Sequence, residues 1–250
     1  MGRLKQVAVS TLERHPYGYA VGLAISESHA LFLPHEPDFF GVPLVAHGGS
    51  GLFLDVGANR GHSALGFHKV MPGWRTFSVE ANPLHQARLE HLKQRHRFFE
   101  YRIAAADRES GKPVTLWTPR YRKLYCHSAA AVERVQAVRA IEIAFPRQAP
   151  YFDYVPCETR TLALDDLGIA PQLVKMDIQG KEVDALRGFT RTIERHRPSF
   201  LIECNLDGDR IFDAMRAFRY LAFAYDRSRH RLDRVDRPPT EGRGLFFLPE

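Results

Sequence analysis

The stretch Leu52-Phe53-Leu54-Asp55-Val56-Gly57-Ala58-Asn59-Arg60-Gly61 decides the fold of this 250-residue chain. A short apolar run of strand-forming residues ends in an acid and opens into small residues, and His62 to Val70 behind it reads as a helix. Strand, tight glycine turn and helix together aim backbone N–H groups and a helix N-terminus at a ligand. The spacing is Gly-x-x-x-Gly (Gly57, Gly61), not the Gly-x-Gly-x-x-Gly that cradles a pyrophosphate. A nucleoside cofactor without a pyrophosphate suits it better. The next strand, Trp74 to Val79, ends at Glu80-Ala81-Asn82-Pro83. A nucleoside-binding α/β sheet places an acid at this point on the ribose hydroxyls.

Working outward, strands alternate with helices from residue 52 onward, which predicts a mostly parallel sheet covered on both faces. The expected helices are Leu84–Arg95, with Leu84, Ala87, Leu89 and Leu92 available to the core, a single helix over Lys181–Arg195, and Asp209–Phe218. Strands are expected at Phe98–Ala105, Val114–Trp117, Thr159–Leu164, Leu173–Met176, Ser199–Ile202 and Tyr220–Tyr225. Arg231–Val235 and Leu245–Leu248 form an antiparallel finish. Residues 118–156 read as irregular apart from a helix near Ala129–Val138, and a long segment of that kind inside a domain points to substrate selection. Residues 1–50 read as an N-terminal extension or cap. Within it Tyr19–Ile25 and Ala30–Leu33 can pair as a hairpin, and Asp38–Ala46 forms a short helix. Residues 51–250 make the main domain.

The composition excludes several classes. Apolar content of 44% and charged content of 26% are ordinary for a globular protein. The net charge of +6 comes from 28 arginines and 7 lysines that are scattered, without the aromatic-basic pattern of a nucleic-acid module. No apolar run approaches a membrane span, and no signal-peptide core follows Met1. The cysteines (Cys126, Cys157, Cys204) form no Cys-x-x-Cys pair, which suits a reducing compartment. A cytoplasmic location is therefore expected. The twelve histidines show no metal-ligand spacing, so no metal is expected. His62 stands out because it opens the first helix beside the glycine turn.

Four core strands end in carboxylates, Asp55, Glu80, Asp177 and Glu203, and a shorter one ends in Asp107. Ligands of an open α/β sheet bind beyond the carboxyl ends of the strands, so these acids should gather at one rim. The Asp165-Asp166 pair reads as a helix start rather than an acid/base dyad.

These motifs occur in a definite order. Leu54–Gly61 and Val79–Pro83 come first, then Thr161-Leu162-Ala163-Leu164-Asp165-Asp166 and Val174-Lys175-Met176-Asp177-Ile178-Gln179-Gly180-Lys181-Glu182. Leu186-Arg187-Gly188 and Pro198-Ser199-Phe200-Leu201-Ile202-Glu203 follow. The series resembles the FkbM family of S-adenosylmethionine-dependent methyltransferases over about residues 52–205. The resemblance implies a class I, Rossmann-like, seven-stranded methyltransferase fold with an antiparallel C-terminal strand. It implies that Asp55, Gly57, Ala58, Asn59 and Gly61 hold the methionine end of S-adenosyl-L-methionine. Glu80 would take the ribose hydroxyls, Ala81 and Asn82 would lie beside the adenine, and Ala106 and Asp107 would close the adenine pocket.

Two positions depart from the family pattern. Gln179 replaces the acid of Lys-x-Asp-Val-Glu-Gly, and Ala64 occupies the place of a hydroxyl residue, with Ser63 displaced by one. The family is associated with O-methylation of sugars and secondary metabolites, so the expected partner is a small hydroxylated or glycosylated acceptor. An attacking alcohol needs its proton accepted, and Asp177, then Glu203, are the candidate bases, with Lys175 able to orient Asp177; Asp177 reads equally as a ligand of the cofactor's amino group, and Glu203 more readily as an architectural residue. The alternatives are a catalytically silent cofactor-binding module, hinted at by Gln179, and a nicotinamide-dependent oxidoreductase, which the glycine spacing disfavours.

Overall fold

The computed structural model describes residues 15–18, 37–204, 207–239 and 244–250. The hairpin expected within 19–33 lies outside them. Strand β1 (Leu52–Val56), helix α1 (His62–Val70), β2 (Arg75–Glu80), α2 (Gln86–Arg95) and β3 (Phe99–Ile103) open the main sheet. Further along come β4 (Ala105–Ala106), β5 (Pro113–Tyr121), β6 (Leu124–Tyr125), α3 (Arg134–Ala144), β7 (Phe152–Leu162) and β8 (Leu173–Met176). Helices α4 (Glu182–Arg187) and α5 (Thr190–His196), β9 (Ser199–Glu203), α6 (Gly208–Ala217), β10 (Tyr220–Asp226), β11 (Arg231–Val235) and β12 (Gly244–Pro249) complete the chain.

The main sheet has eight strands in the order β11-β10-β12-β9-β8-β1-β2-β3. The run β9-β8-β1-β2-β3 is parallel, while β12 lies antiparallel between β9 and β10, and β11 is antiparallel to β10. The sheet therefore has one edge strand beyond the expected seven, because β11 pairs with β10 by a hairpin.

Parallel strands are covered on both faces, and alternate side chains sort to opposite sides. Leu54, Val174, Phe200 and Phe247 enter the cluster under α4, α5 and α6. Their neighbours Phe53, Leu173, Leu201 and Phe246 enter the opposite cluster with Phe67 of α1 and Trp74. Phe53 and Phe67 stack with ring centroids 4.0 Å apart, and Phe39 meets both edge-on. Each such buried aromatic contributes about 1.5–3 kcal/mol. Phe39 belongs to a 3-10 segment, Pro37–Leu44, so residues 37–46 pack into this core although the sequence places them in the N-terminal extension.

Two helices differ from expectation. The 3-10 turn Pro83–His85 precedes α2 and shifts its facing, so Leu89 and Leu92 are buried while Leu84 and Ala87 are exposed. The expected Lys181–Arg195 helix is split, because Phe189 leaves the helical path to bury itself completely between α4 and α5. Asp165 caps the second piece. Its carboxylate accepts from Arg191 N (3.0 Å), Thr192 N (2.8 Å) and Thr192 Oγ1 (2.7 Å). Asp165 thus opens the 3-10 turn Leu164–Leu167, as the sequence suggests, and also starts a helix about 25 residues downstream.

The largest correction concerns residues 118–156. Strands β5 and β7 form a continuous antiparallel ribbon from Pro113 opposite Arg160 to Tyr121 opposite Phe152. Its far end carries α3 and a small core of Tyr121, Cys126, Ile141, Phe145 and Phe152, against which the rings of His15 and Tyr17 also pack. The ribbon escapes sequence reading because its strands are joined by about thirty residues rather than by a turn, and each strand contains a proline.

Candidate active site

A cleft of about 360 Å3 opens where the parallel strands end, between the tips of β1, β2 and β8 and the near face of the ribbon. Two turns build its floor.

The first follows β1. Gly57 has φ of +94°, and its N–H and that of Ala58 both reach Val79 O, at 2.9 and 3.2 Å. A Cβ on Gly57 would lie 2.0 Å from the carbonyl oxygen of Asp177, so only glycine lets the tips of β1 and β8 meet. Asn59 is also left-handed, with φ of +49°. Its N–H donates to Glu80 Oε2 at 2.6 Å, and Asn82 N donates to Glu80 Oε1 at 2.7 Å. Glu80 is buried, and burial, against the pull of those two N–H donors and with the negative charges of Asp55 and Asp177 nearby, raises its pKa to about 7.

The second turn follows β8. Lys175 Nζ lies 3.3 Å from Asp177 Oδ2, and Gln179 Nε2 donates to Asp177 Oδ1 at 2.8 Å and to Glu203 Oε2 at 3.1 Å. Burial pushes the Asp177 carboxyl upward, but the Lys175 ammonium and hydrogen bonds from Glu203, Gln179 and Lys175 outweigh it and leave the pKa lowered. Glu182 is buried and accepts from Ile178 N and Gly180 N, both at 2.9 Å, which fixes the loop.

Gly57, Ala58, Asn59, Glu80, Ala81, Asn82, Ala106 and Asp177 all line the cleft. Four predicted residues do not. Asp55 is fully buried behind the wall and accepts from Ser63 Oγ (2.6 Å) and Ser78 Oγ (3.2 Å). Ser63, one place away from the family's hydroxyl position, thus braces the carboxylate. Gly61, with φ of +82°, faces α2, where a Cβ would lie 2.2 Å from Leu92 Cδ1. Asp107 stands apart, its carboxylate accepting from Arg108 N. Glu203 lies outside the lining and is joined to it by Gln179 and Asp177. Asn82 has a further duty: its Oδ1 accepts from Leu84 N and its Nδ2 donates to Thr118 Oγ1, so it joins the β2 tip to the ribbon.

Sequence reasoning singled out His62 but missed its companions. Arg60, His85 and His127 line the cleft with it, and the His85 and His127 rings lie 4.2 Å apart. Burial, and then the neighbouring His127, Arg60 and His62, lower the pKa of His85 to about 3. Burial and Arg60 lower that of His127 to about 4. Both rings are neutral at pH 7. Spacing carried no signal for this pair, because His127 comes from the ribbon. Among the described residues no group of three His, Cys, Asp or Glu is placed to hold a metal ion, and no helix is long and apolar enough to cross a membrane.

A parallel sheet with a glycine turn after one strand, an acid at the tip of the next, and an antiparallel strand inserted beside the last parallel one has the class I S-adenosylmethionine-dependent methyltransferase architecture. Residues 55–226 match the Methyltransferase FkbM domain, and the chain belongs to that family, whose cofactor is S-adenosylmethionine. Among solved structures, methyltransferase FkbM from Methylobacillus flagellatus KT superposes with a TM-score of 0.51 at 18% identity, over 83% of this chain. This chain spans 47% of the length of that one. A precorrin-6y C5,15-methyltransferase from Geobacter metallireducens GS-15 gives 0.43 at 12% identity, over 83% of this chain and 82% of that one. No curated protein matches.

Proposed function

We propose that this chain transfers the methyl group of S-adenosylmethionine to a hydroxyl of a small metabolite or sugar. The observation that carries the reading is Glu80, whose two carboxyl oxygens are clamped by Asn59 N and Asn82 N on the wall of the cleft. A buried carboxyl poised near neutrality is stabilised as an anion by two hydroxyl donors, which is what a ribose offers. The donor set therefore fits the cofactor. Gly57, Ala58 and Asn59 would meet its methionine end, and Ala81, Asn82, Ala106 and Leu116 would enclose the adenine. Asp55 and Gly61 would support the turn from behind, and Asp107 would take no direct part.

The cofactor supplies an electrophilic methyl on a cationic sulfur. The chain holds the reactants in line, and such orientation provides much of the rate. With the cofactor bound, the hydroxyl proton of the attacking acceptor would pass to a carboxylate at the rim. What supports Asp177 in that role, with Glu203 behind it, is that it lines the cleft and that its lowered pKa keeps it ionised at neutral pH.

Calorimetry with S-adenosylhomocysteine tests the cofactor assignment. Wild type should bind it, and Glu80→Ala should weaken binding tenfold or more while the melting temperature stays within a few degrees. Unchanged affinity would refute the ribose assignment. Label transfer from S-adenosylmethionine to a panel of hydroxylated metabolites and sugars then tests the reaction.

A further inference from the structure

Gln179 stands between two carboxyl groups. Its side-chain amide donates one hydrogen to Asp177 Oδ1 at 2.8 Å and the other to Glu203 Oε2 at 3.1 Å. Chemistry fixes this orientation, since the reverse would turn a carbonyl oxygen toward two acids. The residue is held in a left-handed conformation, φ of +55°, which a side chain of this kind rarely adopts. Glu182 enforces it by accepting the N–H groups of both chain neighbours, Ile178 and Gly180. The loop after β8 is thus built around the placement of one amide.

We propose that Gln179 is a positioning residue that clamps Asp177 and Glu203 into one carboxyl pair, and that this pair takes up the proton of the acceptor's hydroxyl. The identity of the proton donor rests on the methyl-transfer reading above; the pair itself does not.

Asp177 and Glu203, on adjacent strand tips, also hydrogen-bond to each other, which two carboxyl groups do only while they share a proton. The amide gives each a hydrogen and carries no charge at any pH, so it joins them without adding a third ionisable acid. The charged and titratable groups facing the pair are Lys175 on β8, Glu182 on α4, Glu80 at the tip of β2, and Cys204 next to Glu203. Lys175 is the cation among them and lies 3.3 Å from Asp177 Oδ2, the carboxyl oxygen that Gln179 does not take. The Cys204 thiol, pushed up to about 12 by burial and then by Glu182 and Glu203, stays neutral.

Gln179 and Asp177 both line the cleft, and with both amide hydrogens engaged the polar atom Gln179 has left for a ligand is its carbonyl oxygen. That edge suits a neutral alcohol, which brings its own hydrogen, better than a carboxylate. In the transfer the acceptor's O–H bond breaks and its proton goes to Asp177. The new O–CH3 bond replaces S–CH3, and the sulfonium charge and the carboxylate charge disappear together.

The test is a carbon-13 carboxyl NMR titration of the full chain without cofactor, with Asp177 and Glu203 assigned from Asp177→Asn and Glu203→Gln. In wild type the two resonances should titrate as a coupled pair, and Glu203→Gln should move the midpoint of Asp177. Gln179→Leu should raise that midpoint by about one pH unit or more. Gln179→Glu should add one bound proton near neutral pH. A simple loss of packing would lower the melting temperature without this pattern. If Gln179→Leu fails to fold, the Glu203→Gln result decides, because it leaves the amide in place. Independent titration of Asp177 in wild type, unmoved by either substitution, overturns the proposal. Wild type that binds no S-adenosylhomocysteine yet shows the coupled titration overturns the methyl-transfer reading and supports the pair.

Discussion

The two turns that floor the cleft use the same device to opposite ends. After β1 a left-handed Asn59 is tied down by the buried carboxyl of Glu80, and after β8 a left-handed Gln179 is tied down by the buried carboxyl of Glu182. The acids that line the cleft at the two tips differ. Glu80 has backbone N–H partners and deep burial, and its pKa rises to about 7. Asp177 has an ammonium and an amide beside it, and its pKa is lowered despite burial. Neutral donors do not offset burial as a fixed positive charge does. One tip therefore carries an acid that holds its proton up to near neutral pH, the other a standing anion.

The most damaging way to break this comparison is Gly57→Ala, because it strikes both turns at once. The added carbon meets the Asp177 carbonyl in a backbone conformation alanine resists. Binding of S-adenosylhomocysteine, followed by calorimetry, should fall at least a hundredfold, with a melting temperature several degrees lower. Next is Asp177→Asn, which removes the standing anion. With an acceptor in hand, methyl transfer should drop by about ten- to a thousandfold while S-adenosylhomocysteine affinity changes less.

A pH series sharpens the contrast without mutation. Ribose hydroxyls favour ionised Glu80, so S-adenosylhomocysteine affinity should rise as pH climbs through about 7, and Glu80→Gln should flatten that rise. Stability without ligand runs the other way. The folded-state pKa of Glu80 is raised, so its contribution is fully present below about 4.5 and is lost as pH rises through about 7. Between pH 5 and 8 the melting temperature of wild type should fall more than that of Glu80→Gln. The smallest effect is expected at the ribbon. Thr118→Val removes the hydrogen bond to Asn82 Nδ2 and should weaken cofactor binding by about three- to tenfold.

How much was legible in the sequence depends on the range of the interactions. Strand, turn and helix around Asp55–Gly61 were readable because their determinants are neighbours, and the tip acids because each closes its own strand. The identity of Glu80 was visible, but its two backbone clamps were not. Asp55 shows the limit plainly: its place at the end of β1 was clear, whereas its burial against Ser63 and Ser78 depends on residues 8 and 23 positions away. The sequence places Asp107 on the rim, yet β4 leaves the main sheet to pair with β7, which takes that acid elsewhere.

By itself the sequence determined the parallel core, the glycine turn and the acids along its edge, since hydrophobic alternation and left-handed glycines are local demands on the backbone. Only the tertiary structure decided which acids face the cleft, what charge each carries, and that His85 meets His127 across it. Those outcomes depend on burial and on contacts between distant segments. A carboxyl group's proton is governed by what surrounds it in space, and the order of residues does not write that down.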